Sequence, residues 1–262
     1  MNSISTNNLD ISYEEALIVN AMDMNIPQGK ITSIIGPNGC GKSTVLKAVG
    51  RLLKPKNGMV YLSGEDIRKL STKEIAKQMA ILPQSPTAPS GLTVSELVAY
   101  GRFPHQKGFG KLTPEDKEIV KWALTVTKLM EYEHREVDTL SGGQRQRVWI
   151  AMALAQQTDI ILLDEPTTYL DLAHQLEILT LLFELNRDQG CTIAMVLHDL
   201  NLAARFSDYM IAIRSGKIIS HGMPEEVMCA EVLREVFSID AEIVHEPKTG
   251  RPVCLTYDLL AI

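Results

Sequence analysis

One short segment limits what this chain can fold into more than any other. GPNGCGKST, residues 36–44, follows the apolar run KITSII and opens the helical pattern STVLKAVGRLL. It matches G-x-x-x-x-G-K-[ST], in which glycines let backbone N–H groups converge on phosphates at the start of a helix. The alternative is a glycine turn that caps a helix without a ligand. The flanking strand and helix favour a phosphate-binding loop, in which Lys42 reaches the outer phosphates and the Ser43 hydroxyl ligates Mg²⁺.

Apolar runs alternate with amphipathic helical patterns along the chain. Three runs lack polar alternation, which is typical of central parallel strands covered on both faces. They are KITSII (30–35), DIILLD (159–164) and TIAMVL (192–197). IAIRSGKIIS (211–220) predicts a hairpin turning at Ser215-Gly216, and AEIVHEPKTGRPVCLTY (241–257) predicts a further strand pair. Together these patterns predict the α/β class.

Several helix starts are visible between the strands. Ser71 and Thr93 are each followed three residues later by a glutamate, which is the spacing of a capping box. Thr113-Pro114 combines an N-cap threonine with a proline at the first helical position. We therefore expect a helical block between the strands.

Composition narrows the partners and the location. The 262 residues, 45% of them apolar, predict one domain with subdivisions. A net charge of −6 argues against a broad nucleic-acid-binding surface, so no nucleic-acid partner is expected. The start of the sequence lacks a signal-peptide pattern and no apolar run approaches the roughly 20 residues of a membrane span, which predicts a cytoplasmic chain. The four cysteines, at 40, 191, 229 and 254, have neither close pairing nor metal-ligand spacing and are expected to be free buried thiols.

Two further segments suggest phosphate chemistry. IILLDEP (160–166) delivers two acids to the end of a strand, where Asp164 would support Mg²⁺ through water and Glu165 would orient an attacking water. Taken alone, acids in such a place are usually solvated turn residues. LSGGQRQR (140–147) is a second glycine turn that opens a helix, and its alternative is a helix start without a ligand.

These segments, in their order, resemble the motif set of the ATP-binding-cassette (ABC) ATPases over about residues 5–235. The matching residues are Tyr13, GPNGCGKST, Gln84 in ILPQ, LSGGQ, IILLDEP, YLD (169–171) and His198 in LHDL. The resemblance implies a P-loop NTPase cassette with a RecA-like core, an antiparallel β subdomain and a helical signature subdomain. It places the ATPase domain at 1–240, with the helical subdomain at about 86–157, and leaves 241–262 as a C-terminal extension.

The resemblance also implies the site, with ATP and Mg²⁺ as cofactors. Implied catalytic residues are Glu165, His198, Gln84 and Lys42, and implied metal-binding residues are Ser43, Gln84 and Asp164. Implied nucleotide-binding residues are Tyr13, Gly36, Pro37, Asn38, Gly39, Cys40, Gly41, Lys42, Ser43, Thr44, Ser141, Gly142, Gly143 and Gln144. Taken alone, the tyrosine, glutamine and histidine would be ordinary core or surface residues.

The same family resemblance implies the partners. A second copy of the chain would pack head to tail, so that each LSGGQ closes over the ATP held by the other copy. Integral membrane permease subunits would hold the dimer at the inner face of the cell membrane, and a substrate-binding protein would act indirectly. Residues 85–105 would face the permease, with Ser85, Ser90 and Arg102 as accessible positions. The alternative is a proline-bounded helix in this segment that is buried in its own subdomain. The Cys40 thiol, near a helix start and Lys42, is expected to favour the thiolate.

Two segments indicate which branch of the ABC ATPases the chain resembles. SPTAPSGLTVSELVAYGRFPH (85–105) and YLDLAHQLEILTLL (169–182) are similar to ATPases of bacterial iron-siderophore, haem and vitamin B12 importers, and most similar to the iron-siderophore branch. Leu172, Leu176, Leu179 and Leu182 are expected to pack in the core. Cys40 and Tyr169 depart from the usual family residues.

The sequence thus predicts the ATP-hydrolysing subunit of a bacterial importer for iron(III)-siderophore complexes. Alternatives are the ATPase of a haem or vitamin B12 importer and a non-transport ABC ATPase of DNA repair or translation. A metabolic P-loop kinase is a further alternative, but it does not explain LSGGQ.

Overall fold

The computed structural model describes residues 2–106 and 111–260, so 261–262 of the expected C-terminal extension lie outside the described residues. The chain divides into two compact units. The first takes in the described residues up to Lys69 and from Gly190 onwards, and the second runs from Leu70 to Gln189.

The first unit opens with strands and a single helix. They are β1 (Asn2–Tyr13), β2 (Ala16–Met22), β3 (Asn25–Pro27), β4 (Ile31–Ile35), α1 (Lys42–Val49), β5 (Asn57–Leu62) and β6 (Glu65–Asp66). β1 is the centre of an antiparallel sheet in the order β2-β1-β5-β6, with β3 also pairing β1. An antiparallel β layer, as expected, is therefore present.

The second unit is mainly helical. Its elements are α2 (Thr72–Gln78), β7 (Met79–Leu82), α3 (Val94–Ala99), α4 (Pro114–Val126), α5 (Gly142–Ala155), β8 (Ile160–Asp164) and α6 (Leu172–Gln189). Short 3₁₀ helices lie at Tyr100–His105, Met130–Tyr132 and Val137–Thr139. β7 and β8 pair in parallel, from Met79 opposite Ile160 to Leu82 opposite Leu163.

The chain then completes the first unit. Its elements are β9 (Thr192–Val196), α7 (Leu200–Phe206), β10 (Tyr209–Arg214), β11 (Lys217–Gly222), α8 (Pro224–Val227), α9 (Ala230–Phe237), β12 (Ile239–His245) and β13 (Pro252–Leu259). β9 and β10 pair in parallel on the two sides of β4, and β11 pairs antiparallel with β10. β12 and β13 form the predicted strand pair.

The predicted core strands are confirmed. Every residue of β4, β8 and β9 is buried, as expected for apolar runs without polar alternation. The hairpin also turns at Ser215-Gly216. No helix within residues 2–106 and 111–260 is long and apolar enough to cross a membrane.

The predicted helix starts are also confirmed. The side chains of Ser71, Thr93 and Thr113 each accept a hydrogen bond from the backbone N–H three residues later. The carboxylate of that later residue in turn accepts from the backbone N–H of the N-cap residue. Local hydrogen-bonding chemistry therefore sets where these helices begin.

Three burial predictions need correction. Leu172 is 64% exposed rather than in the core, because it stands at the first position of α6, and Leu176 is only half-buried. Leu179 and Leu182 are buried as expected. Within residues 85–105, the apolar side of α3 does not face a partner but packs against α4 and α5, which agrees with the alternative of a helix buried in its own subdomain. Arg102 is only 4% exposed and so is not an accessible position, because its guanidinium pairs with Asp116.

The capping interactions predict a measurable loss of stability. Thr113→Ala removes the acceptor for the Asp116 N–H at the start of α4 and should lower the free energy of unfolding by about 1 kcal/mol. Thr125→Ala, in an exposed position later in the same helix, should cost less than Thr113→Ala. Urea unfolding followed by circular dichroism tests this, and equal losses in the two variants would contradict the capping role.

Candidate functional site

The glycine loop joins the end of β4 to the start of α1. Gly41 is the N-cap of α1 and has φ 107°, a left-handed conformation that a residue with a Cβ adopts only under strain. In the described part of the chain no side chain caps this helix start. Its first N–H groups are consequently directed where an anion can accept from them.

Lys42 is buried against the loop that precedes it. Its Nζ donates to Gly36 O at 2.8 Å and to Pro37 O at 2.9 Å. Asn38 and Gly39, between these carbonyls and Gly41, are exposed. The ammonium group therefore lies beside an accessible stretch of backbone and carries a positive charge there.

The prediction that Cys40 favours the thiolate is wrong. Burial raises the pKa of Cys40, and the nearby positive charge of Lys42 lowers it by less than burial raises it. The Lys42 Nζ lies 4.0 Å from the Cys40 Sγ, so the cation is close, as predicted, but desolvation dominates. The group is thus a protonated thiol at neutral pH. Cys40, Cys191 and Cys254 are buried, Cys229 is half-buried, and none of the four forms a disulfide within residues 2–106 and 111–260.

The glycine loop is also held by the β10–β11 turn, which lies outside the sequence motif. Gly216, in the β10–β11 turn, donates from its N–H to Cys40 O at 2.9 Å. Its own carbonyl accepts from Asn20 N at 3.2 Å. A hairpin more than 170 residues further along the chain therefore fixes the middle of the glycine loop.

Two other predicted residues of the first unit are accessible. Tyr13 ends β1 with 46% of its surface exposed, which leaves a ring face available. His198 is exposed in the short segment between β9 and α7. Asp199, beside it, caps α7 by accepting from Leu202 N at 2.8 Å. The cap fixes the backbone from which His198 projects.

In the second unit, β8 delivers the two acids to its carboxyl end. Asp164 is the last residue of the strand and is buried. Glu165 follows with φ 53°, a left-handed conformation that is uncommon for a residue other than glycine and carries strain. The chain therefore turns sharply between the two acids.

The Glu165 carboxylate is held by two side chains. Gln84 Nε2 donates to Glu165 Oε2 at 2.5 Å, and Thr168 Oγ1 donates to the same oxygen at 2.9 Å. The structure thus brings Gln84 and Glu165 together, although 81 residues separate them. Thr168 was missed from the sequence. Its spacing of three residues after an acid is the one signal that could have revealed it.

The second glycine turn is a helix start with a reciprocal cap. Ser141 Oγ accepts from Gln144 N at 3.3 Å, and Ser141 N donates to Gln144 Oε1 at 3.0 Å. Gly142 is exposed and Gly143 is buried. The Ser141 hydroxyl accepts in this cap, so its proton can still be donated to a ligand.

Gly143 is buried because an imidazole lies against it. A Cβ at Gly143 would stand 2.7 Å from the His174 ring, closer than real Cβ contacts. His174 is itself held by Asp171, whose Oδ1 lies 2.8 Å from His174 Nδ1 and 2.9 Å from His174 N. The hydrogen bonds from His174 also lower the pKa of Asp171. YLD and LSGGQ are therefore linked inside one chain, which the two motifs do not reveal separately.

The sequence of this chain is similar to known transport proteins. Residues 19–168 match the family model described as ABC transporter. The chain is 64% identical over 260 residues to iron(3+)-hydroxamate import ATP-binding protein FhuC of Bacillus subtilis (strain 168), covering 99% of this chain and 97% of the relative. It is 47% identical over 245 residues to ferric enterobactin transport ATP-binding protein FepC of Escherichia coli (strain K12), covering 94% and 90% of the two chains.

Solved structures agree with the sequence relatives. A structure assigned to the metal-chelate type of ABC transporter, in an inward-facing conformation, matches with TM-score 0.84 and 26% identity over 99% of this chain and 98% of the other. A dimeric ATP-binding cassette with bound ADP and Pi, in a post-hydrolysis state, matches with TM-score 0.74 and 32% identity over 84% and 98%. The predicted ABC cassette fold is confirmed, and close relatives are ATP-binding subunits of siderophore and iron(3+)-hydroxamate importers. This chain therefore belongs to the ABC transporter family and is an ABC-type ATPase.

Proposed function

We propose that this chain hydrolyses ATP to energise an importer of iron(III)-siderophore complexes, with hydroxamate siderophores as the best-supported class. The geometry that carries hydrolysis is the Glu165 carboxylate, fixed by Gln84 and Thr168 at the end of a buried strand. The substrate class rests on the similarity to FhuC, which extends over almost the whole of both chains.

The glycine loop is the proposed phosphate site of the first unit. Phosphate oxygens would replace Gly36 O and Pro37 O as partners of Lys42 Nζ, since an anion competes well with neutral carbonyls for an ammonium group. The N–H groups at the start of α1 would donate to the same phosphates. Tyr13 would stack on adenine with its exposed ring, and His198 would contact the γ-phosphate. The remaining loop residues, proposed to bind through the backbone or to shape the loop, are Asn38, Gly39, Cys40, Gly41 and Thr44.

Mg²⁺ fits the donor set of the proposed site. The family resemblance proposes Ser43, Gln84 and Asp164 as ligands, and these residue types offer hydroxyl, amide and carboxylate oxygens, the hard ligands that Mg²⁺ prefers beside substrate phosphates. When bound, the ion would neutralise charge on the phosphates. The chain's own contribution to hydrolysis would be positional, because Glu165 would hold the attacking water in line and polarise it.

A second copy of the chain would complete each site. Ser141, Gly142, Gly143 and Gln144 would close over the nucleotide held by the other copy, with the start of α5 directed at its γ-phosphate. A relative solved as a dimer with ADP and Pi supports this arrangement. Loss of the γ-phosphate would remove those contacts and allow the dimer to open.

The second unit would dock on the permease. Tyr100 and Phe103 stack with ring centroids 4.9 Å apart, and 58% of Phe103 is exposed. Ser85 and Ser90 are exposed on the preceding segment. An exposed aromatic pair suits a protein partner. Docking would hold the chain at the inner face of the membrane, with a substrate-binding protein acting indirectly. We further propose an ATPase domain at 1–240 with a helical subdomain at about 86–157, and an extension at 241–262.

The proposed catalytic roles predict two different defects. Glu165→Gln should lower ATP turnover on the order of 10²- to 10³-fold, because the carboxylate that polarises the water is lost. It should leave ATP binding intact and trap a dimer. Lys42→Ala should weaken ATP binding itself, because the cation of the loop is lost. Turnover and nucleotide titration measure both, with the exposed Glu131→Gln as control. Near-normal turnover in Glu165→Gln would remove Glu165 from catalysis.

The buried Cys40 thiol predicts slow alkylation. At pH 7.5 iodoacetamide should label Cys40 more slowly than the half-buried Cys229, because Cys40 is both protonated and shielded. The rate should rise as the pH is raised through the elevated pKa, and Mg-ATP should slow it further. Mass spectrometry of each cysteine measures these rates. Faster labelling of Cys40 than of Cys229 at pH 7.5, or no effect of Mg-ATP, would contradict this placement.

The docking surface predicts specific crosslinks. Cysteines introduced singly at Ser85, Ser90 or Phe103 should crosslink to the permease encoded beside this chain, with yields that change between the ATP-bound and nucleotide-free states. Thr125→Cys, on the exposed side of α4, serves as control. Crosslinks from the control position but from none of the three would show that the docking surface is elsewhere.

A further inference from the structure

The 3₁₀ helix that carries the exposed aromatic pair also carries one partner of a buried ion pair. Arg102, in the 3₁₀ helix Tyr100–His105, donates from Nε to Asp116 Oδ1 at 2.8 Å, and both side chains are buried. Asp116 Oδ2 accepts from the Thr113 N–H and hydroxyl at the start of α4. The arginine holds the pKa of Asp116 below its usual value, so the carboxylate stays ionised. The pair therefore fixes this turn to α4.

Arg102 also reaches the end of α5. Its Nη1 donates to Ala155 O at 2.8 Å and to Gln157 Oε1 at 3.1 Å. Ala155 is the last residue of the helix, where carbonyl groups lack partners in the helix and a cation is favourable. One guanidinium thus joins the turn, α4 and the carboxyl end of α5.

Two neighbours in the turn strengthen the same junction. A Cβ at Gly101 would stand 2.2 Å from Met152 O, so the turn lies directly on α5 and only glycine fits there. His105 Nε2 lies 2.8 Å from Gln156 O. The Gln156 side chain in turn donates to Met79 O, at the first residue of β7. The turn is therefore fixed to the end of α5 and, through Gln156, to the start of β7.

The two elements that the turn contacts, α5 and β7, lead to two of the residues proposed to face the nucleotide. α5 has 14 residues and is about 21 Å long, and its other end begins at Ser141 and Gly142. β7 ends at Leu82, two residues before Gln84. A displacement of the turn would reach both Ser141 and Gln84 through elements that do not bend easily.

We propose that Arg102 and Asp116 are positioning residues that transmit permease movement at the Tyr100–His105 turn to the LSGGQ loop and to Gln84. This inference rests on the proposed function. A buried ion pair adds little net stability compared with well-packed apolar residues, but the hydrogen bonds of Arg102 to Asp116, Ala155 and Gln157 fix its orientation. A junction of fixed orientation is suited to transmitting a displacement of the turn. If the turn only had to pack against the helices, an apolar contact would be sufficient.

The decisive variant removes the pair without leaving a buried charge. Arg102→Met leaves Asp116 unpaired, and Asp116→Asn leaves Arg102 unpaired, so each should lower Tm on the order of 10 °C. The double variant Arg102→Met/Asp116→Asn leaves neither charge, and Asn can still accept from Thr113. It should recover most of the lost Tm while still lacking the bond to Ala155 O. Arg135→Met, at an exposed arginine of the same unit, is the matched control.

The measurement compares the isolated chain with the chain in the complex. The full chain is assayed alone and with the permease encoded beside it, reconstituted in liposomes. The double variant should keep the basal rate and the KM for ATP within about twofold, but the stimulation by the permease should fall about 3- to 30-fold. Gly101→Ala, which lifts the turn off α5, should show the same loss of stimulation. Arg135→Met should behave as the unchanged chain.

The outcomes separate this inference from the proposed function. Full stimulation in the double variant, alongside loss in Phe103→Ala, would overturn the transmission role and leave permease docking intact. A proportional fall of basal rate, stimulated rate and Tm in the double variant would show that the pair is only structural. If the unchanged chain neither binds nor responds to the permease, the proposed function fails and this inference fails with it.

Discussion

The complete burial of the core strands is the constraint on which the rest of the structure depends. Every residue of β4, β8 and β9 is buried, so groups that must reach a ligand in solvent can stand only where these strands end. β4 leads into Gly36, β8 ends at Asp164 before Glu165, and β9 is followed by the segment that carries His198. In each case the apolar strand gives a rigid base, and the residues beyond it carry the charge or the open backbone. The chemistry of the chain is therefore concentrated in short loops on fixed supports.

The glycine loop, Glu165 and the second glycine turn are each held by a residue distant in the sequence. The glycine loop accepts a hydrogen bond from Gly216, and Glu165 accepts from Gln84. Gly143 is packed against the ring of His174, which Asp171 holds in place. Orientation matters here because phosphoryl transfer depends on positioning and charge stabilisation more than on covalent participation by the protein. Under the proposed function, the supporting residues would matter as much as the groups they orient.

The second unit combines an exposed surface with a rigid interior. Phe103 is exposed, whereas its neighbour Arg102 is buried and bonded to Asp116 and to Ala155 O. Two consecutive residues of one turn thus take opposite roles, one available to a partner and the other fixed to α4 and α5. The transmission proposed for Arg102 and Asp116 depends on this division between an exposed and a buried residue.

The sequence by itself determined the features that depend on near neighbours. Capping boxes at Ser71 and Thr93, the glycine loop and the buried strands all follow from residue types at fixed short spacings, since helix starts and phosphate loops are closed by hydrogen bonds within a few residues. The family resemblance rests on the same short motifs. The environment of individual polar side chains, in contrast, was decided only by the tertiary structure. Lys42 stands near Cys40 in sequence and predicts a thiolate, yet desolvation raises the pKa of that thiol. Arg102 looked accessible until Asp116 and the end of α5 enclosed it. Solvent exposure and partner choice depend on residues tens to hundreds of positions apart, and no local pattern encodes those contacts.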